Sequence, residues 1–273
     1  MKLLAGIFLI IRKMILFIFL VLACLILEGG STVFAQENQK DTISKKLSTE
    51  QIDQSDDAAV LNNKGIWYLQ QGKFEQAKEY LSRAVVLYPN DYLTHYNLGT
   101  FYGYINDMQK AIGHLNKAVE LNPQSDKAFS ALGTFYLREN KLQEAERSFL
   151  AALNINPDNI NALFGLMNVY KNENQFDKAL KTGNKLLAVD NKYQQLHLVL
   201  SNLYFLKNDL PNALANAKAE QSLYPEAPES YYMLILIYNK TGEKMKSLEA
   251  MNKLKELLIN NNSEKNTKSE SDK

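Results

Sequence analysis

The sequence predicts an all-α fold, a solenoid of about six helix–turn–helix units or twelve helices, on three periodic columns. Six tyrosines, Tyr68, Tyr102, Tyr136, Tyr170, Tyr204 and Tyr238, stand at intervals of 34 residues. A small residue recurs at the same interval at Ala77, Ala111, Ala145, Ala179 and Ala213, with Ser247 in the sixth place. Prolines fall at Pro89, Pro123, Pro157 and Pro225, and Asn191 takes the remaining slot. A period of this length marks a stack of supersecondary units, each unable to bury its apolar face alone. No insertion breaks the register from Ala58 to Asn261, so the units run 58–91, 92–125, 126–159, 160–193, 194–227 and 228–261.

The elements follow in chain order. Residues 1–35 read as a targeting segment. Lys2, Arg12 and Lys13 supply positive charge, an apolar run extends from Met14 to Leu27, and Val33-Phe34-Ala35 offers a signal-peptidase site with cleavage after Ala35. Two other readings stay open: retention of Leu3–Leu27 as a membrane anchor, and lipidation at Cys24. Arg12-Lys13 in mid-segment weighs against the anchor. All three place the bulk of the chain outside the cytoplasm, whether periplasm, cell surface or medium. Residues 36–57 are polar, lack clear periodicity and read as a linker.

Within each unit the first half carries apolar residues at helical spacing, as in Phe129, Leu132, Phe135 and Tyr136. A short polar turn follows, such as Gln71-Gly72-Lys73 or Glu139-Asn140-Lys141. The second half is again helical, as in Leu142, Ala145, Phe149, Ala152 and Leu153. The proline column ends it, because proline has no N–H to donate and restricts the residue before it. Asp57, Asp91, Ser125 and Asn159 fall in register as caps for the first helices, and Pro228 takes the first-turn position in the sixth unit.

Gly65, Gly99 and Gly133 lie mid-helix, where glycine costs about 1 kcal/mol relative to alanine. Opposite the alanine column they let the two helices of a unit approach closely. Later units replace this column with Met167, Ser201 and Ile235, and the small slot Ala84, Ala118, Ala152 with Leu186, Glu220 and Leu254. Looser packing in the second half of the array is the expectation. Residues 262–273, rich in Asn, Ser, Lys and Glu, read as a disordered tail.

The columns Leu98-Gly99-x-x-Tyr102, Ala111, Leu115, Ala118 and Pro123 resemble the tetratricopeptide repeat (TPR) in every signature slot except its first tryptophan. That slot holds Leu61, His95, Phe129, Leu163, His197 and Tyr231. The resemblance implies a right-handed superhelix of antiparallel helix pairs with first helices lining a concave groove, and it implies binding of a protein or peptide segment. Transferred slot by slot, the groove residues are Tyr96, Thr100 and Gly103; Ser130, Thr134 and Leu137; Phe164, Asn168 and Lys171; Leu198, Asn202 and Phe205; and Tyr232, Leu236 and Asn239, with Asn62 and Ile66 in the first unit. The family's carboxylate clamp is incomplete: Asn97 and Lys127 match, whereas Asn62, Ile66 and Ala131 do not.

Composition narrows the function further. Beyond residue 35 there are 28 bases against 29 acids, with no basic block of the density that nucleic-acid binding requires. Cys24 is the single cysteine, so the repeats hold no thiol nucleophile and no cysteine-based zinc site. His95 and His197 share a slot three units apart, too far for a common metal, and His114 lies on a second helix. All three read as packing or surface residues. With no phosphate loop, nucleophile elbow or metal motif, the expectation is a non-catalytic scaffold without metal or cofactor. The aromatic and asparagine lining leaves a cell-envelope glycan as the competing ligand.

Overall fold

The computed structural model describes residues 57–271. The targeting segment, all but the last residue of the linker, and residues 272–273 lie outside that range. The chain divides into two compact units, Met1–Leu61 and Asn62–Lys273, and the repeats belong to the second apart from the first turn of the first helix. Among the described residues there are twelve helices and no strand. They are α1 (Ala58–Gln70), α2 (Phe74–Leu87), α3 (Tyr92–Tyr104), α4 (Met108–Leu121), α5 (Asp126–Arg138), α6 (Leu142–Ile155), α7 (Ile160–Asn172), α8 (Phe176–Val189), α9 (Leu196–Leu206), α10 (Leu210–Leu223), α11 (Pro228–Thr241) and α12 (Lys244–Ser271). Consecutive pairs form six hairpins.

Each hairpin turn is built by one motif. The C-terminal residue past each first helix adopts the left-handed conformation: Gly72, Asn106, Asn140, Asn174, Asn208 and Gly242, all with φ between 57° and 79°. Glycine and asparagine tolerate this region best. The next N–H then closes back on the tyrosine column, Lys73 onto Tyr68 O, Asp107 onto Tyr102 O, Lys141 onto Tyr136 O, Gln175 onto Tyr170 O, Asp209 onto Tyr204 O and Glu243 onto Tyr238 O, at 2.8–2.9 Å. The column therefore fixes the turn by its backbone as well as the interior by its rings. Lysines of the second helices lie over Tyr102, Tyr170 and Tyr238 (Lys110, Lys178 and Lys246), the three buried members of the column.

The expected caps are in place. Asp57 accepts from Ala59 N, Asp91 from Leu93 N, Ser125 from Ala128 N and Asn159 from Ala162 N. The alanine column from Ala77 to Ala213 is wholly inaccessible, which is what lets α1/α2-type pairs close together. A Cβ on Gly65 would stand 2.5 Å from Leu81 Cγ, and one on Gly133 would stand 2.7 Å from Phe149 Cδ1. Gly65, Gly99 and Gly133 thus each receive a large side chain from their own second helix.

The paired helices of hairpins four to six lie less closely together than those of hairpins two and three, as expected, yet their interior slots are filled in other ways. In the fourth hairpin the volumes are exchanged: Met167 replaces glycine, and Gly183 stands in the slot of Leu81, Leu115 and Phe149. A Cβ on Gly183 would meet Met167 Sδ at 2.8 Å and Leu200 Cδ2 at 2.7 Å. Phe149 also spans to the next hairpin, where a Cβ on Gly165 would lie 2.1 Å from its Cζ. In the fifth hairpin Ser201 faces Ala217 in the exchanged slots and donates its hydroxyl to Ala213 O at 2.8 Å. Met167 and Ser201 are wholly buried and Ile235 nearly so.

Two helices depart from the simple repeat. The fifth unit begins its helix at Leu196 rather than at 194, and α9 has 11 residues where the other first helices have 13 or 14. Its cap slot holds Tyr193, which has no short acceptor, and Gln195 takes a left-handed φ of 66° instead. Within the 262–273 segment read as a disordered tail, α12 continues to Ser271. No glycine or proline follows Gly242 to stop that helix.

Candidate functional surface

The first helices α3, α5, α7, α9 and α11 occupy the same position in successive hairpins, with packing of α3 on α5, α5 on α7 and α9 on α11. Their exposed slots make one face. Of the residues assigned to it from sequence, Tyr96, Thr100, Thr134, Phe164, Asn168, Lys171, Leu198, Asn202, Phe205 and Tyr232 are half-buried, and Leu236 is exposed. Half-burial is what a binding face built between packed helices requires: the bodies are held and the tips are open.

Not every assigned residue is available. Gly103 is buried under the next first helix, since a Cβ there would stand 2.0 Å from Phe135 Cζ, and Ser130 is also buried. Gly103 packs between α3 and α5, and neither residue is open to a ligand. The hydroxyls of Thr100 and Thr134 are spent on their own helices, on Asn97 O at 2.9 Å and Ser130 O at 3.0 Å.

What remains concentrates on hairpins four to six. Phe164 tilts against Tyr193 with ring centroids 5.1 Å apart. Asn168 donates to Phe164 O at 3.0 Å, which leaves its amide oxygen free among the described residues. Asn202 and Lys171 have neither hydrogen-bond nor ion-pair partner among the described residues. Burial pushes the Lys171 ammonium below the ordinary lysine range. Phe205 carries Lys240 Nζ 4.7 Å above its ring. Burial and the nearby Glu229 push the Tyr232 hydroxyl up, so it stays a neutral hydrogen-bonding group.

Sequence reasoning missed one pair. His95 and His114, 19 residues apart on α3 and α4, meet with their Nδ1 atoms 3.2 Å apart. His95 Nε2 lies 3.1 Å from Pro89 O, and a carbonyl only accepts. His95 therefore keeps its proton on Nε2 and accepts from His114 Nδ1–H. The same two slots in hairpin five hold His197 and Asn216, 3.0 Å apart. The signal was there in the repeat: these two slots, 19 apart, face each other in hairpins two and five. Among the described residues no three His, Cys, Asp or Glu side chains cluster as a metal site would, and no helix is long and apolar enough to cross a membrane.

Comparison with known proteins bears on the fold. No curated relative matches the sequence. Among solved structures, the Pseudomonas aeruginosa pilF protein is 18% identical over 73% of this chain and 91% of its own, with a TM-score of 0.66. PilW, described as a widely conserved type IV pilus biogenesis factor, is 19% identical over 72% of this chain and 91% of its own, also at 0.66. YrrB, a TPR protein with an unusual peptide-binding site, is 19% identical over 65% of this chain and 91% of its own, at 0.57. At such identities the likeness shows the shared architecture. Three tetratricopeptide-repeat models match the sequence itself, over residues 56–124, 96–160 and 137–203. With its six hairpins in unbroken 34-residue register, this chain belongs to the tetratricopeptide repeat family.

Proposed function

We propose that this protein is a non-catalytic adaptor, acting outside the cytoplasm, that holds an extended protein segment along its first helices. The observation that carries the reading is the face shared by α7, α9 and α11. Phe164, Phe205 and Tyr232 supply flat apolar surface there, and Asn168 and Asn202 supply amide groups with free hydrogen-bonding capacity. Such a mixture suits an extended backbone, whose N–H and C=O groups need partners along its length. Export is supported by the basic and apolar pattern of residues 1–35. The description of YrrB as a peptide-binding TPR protein and of PilW as a pilus biogenesis factor fit the same reading.

The tilted ring pair of Phe164 and Tyr193 keeps a cell-envelope glycan as the competing ligand, since sugars also lie flat on aromatic rings. The test is affinity capture from envelope extract by the full chain, compared with a Phe164→Ala/Tyr232→Ala variant. Recovery of a defined protein that the variant loses supports the adaptor. Retention on purified cell-wall polymer, lost in the same variant, supports the glycan and overturns the proposal.

A further inference from the structure

The distribution of charge on the first helices is uneven. Across α1, α3, α5, α7, α9 and α11 the acids are Asp126 and Glu229, both in the first turn of their helices. Asp126 is already engaged, accepting from Asn156 and Asn159 at 2.9 and 2.8 Å. The C-terminal halves of these helices carry cations alone: Arg138 on α5, Lys171 on α7 and Lys240 on α11.

None of the three has a carboxylate partner among the described residues. Arg138 donates to neutral groups, Gly103 O at 3.1 Å and Asn106 Oδ1 at 3.4 Å. Lys240 rests over Phe205, and Lys171 has no partner at all among the described residues. A cation at a helix C-terminus is favoured by the helix dipole, which accounts for its position. Lys240 is exposed, but the dipole gives no reason to half-bury Lys171 and Arg138. Burial holds the Lys171 and Arg138 charges below their ordinary ranges, and no neighbouring charge offsets that. Lysine and arginine are seldom held so without a counterion. A ligand carboxylate arriving there gains a charge-assisted hydrogen bond in a partly desolvated place, where it is worth most.

We propose that the segment bound along the first helices is acidic, and that Lys171 is its principal charge contact, flanked by Arg138 and Lys240. This rests on the adaptor reading and names the chemistry of its partner. The carboxylates are side chains along the segment, because the slots that would hold a chain terminus are occupied by Asn62, Ile66 and Ala131. Packed helices lie about 8–10 Å apart, and an extended chain rises about 3.3 Å per residue. One hairpin therefore spans about three ligand residues. Arg138 and Lys171 lie one hairpin apart, and Lys171 and Lys240 two, so acids spaced i, i+3 and i+9 fit the row.

The test uses the full-length chain and a displayed library of random twelve-residue peptides. Peptides that bind are expected to be enriched in Asp and Glu at these spacings. Lys171→Met keeps the stem and removes the charge. It should weaken the best acidic peptide at least about tenfold while leaving its Asn/Gln counterpart unaffected. Lys171→Arg should restore most of the loss. Far-UV circular dichroism and the melting temperature serve as folding controls, and Lys171→Met should melt no lower than the parent. Enriched peptides that are neutral, yet lose binding on Phe164→Ala/Tyr232→Ala, would overturn the acidic ligand and leave the adaptor standing. Acidic peptides indifferent to Lys171→Met would remove this site from the contact. Enrichment of nothing that the Phe164→Ala/Tyr232→Ala variant fails to bind would overturn both.

Discussion

Met167 fills the space left by the absent side chain of Gly183: a Cβ on Gly183 would stand 2.8 Å from the methionine sulfur. In hairpins one to three the bulk comes from the second helix and the void from the first. In hairpin four the direction is reversed, so the two substitutions are one change. Gly183→Leu alone should destabilise by about 1–3 kcal/mol through overpacking. Met167→Gly alone should cost about 3 kcal/mol or more, through a cavity and a mid-helix glycine. The double variant restores the arrangement of hairpins one to three and should be more stable than the sum, with a coupling on the order of 1–3 kcal/mol. Recovery stays partial because Leu200 also enters the Gly183 space. Urea denaturation of the four proteins measures this, and simple additivity would refute the exchange.

The turn residues make a second test. Asn140 holds φ of 57° after α5, in a column that reads Gly, Asn, Asn, Asn, Asn, Gly from Gly72 to Gly242. A β-branched residue is strained there, whereas glycine is free of that strain. Asn140→Val should lower stability by about 1–3 kcal/mol. Asn140→Gly should be neutral or slightly stabilising. Equal melting temperatures for the two variants would contradict the role assigned to this column.

Much of this architecture is legible in the sequence because the physical requirement at each slot repeats every 34 residues. Tyr102, Ala111 and Pro123 each serve one demand, and Asp91, Ser125 and Asn159 begin their helices where expected. The Gly/Asn column was equally periodic, and it carries the turn geometry that the polar composition alone left unspecified. What the sequence hides is compensation. Met167 looks like a loss of tight packing until Gly183, 16 residues away, is placed against it. His95 and His114 look unrelated until the hairpin brings slots 19 apart together. Gly103 carries a groove slot in sequence, yet Phe135 from the next hairpin covers it. In each case the deciding neighbour lies on another helix, and no single-helix periodicity reports it.

The histidine pair gives the chain a pH dependence whose sign follows from geometry. Burial, and then the neighbouring His95, lower the His114 proton affinity below the usual value of 6.5. The unfolded chain therefore binds this proton more readily than the folded one, and stability falls as pH drops below about 6.5. His114→Asn copies the His197–Asn216 arrangement of hairpin five and keeps a hydrogen bond for His95. Thermal melts between pH 5 and 8 should show the variant losing less stability on acidification than the parent. Parallel curves for the two proteins would remove the pair as the source.

Glu220 should act with the opposite sign. It occupies the small slot filled by alanine in hairpins one to three and is only 3% exposed. Its carboxylate faces the Gln195 and Leu198 amides at the start of α9, the first helix whose own cap slot holds a tyrosine. Those amides and His197 favour the ionised form, but Oε2 has no hydrogen-bond partner. Burial is the largest effect and raises the proton affinity above the ordinary glutamate value of 4.5. A carboxyl whose folded value is raised costs nothing below pH 4.5, and its penalty grows as pH climbs through the folded value. Glu220→Gln removes the charge and retains the shape. It should melt higher than the parent at pH 7–8, with the gap closing as pH falls toward 4.5. A variant that melts lower at pH 7 would show that the ionised carboxylate, as a borrowed cap for α9, stabilises the fold by more than its burial costs.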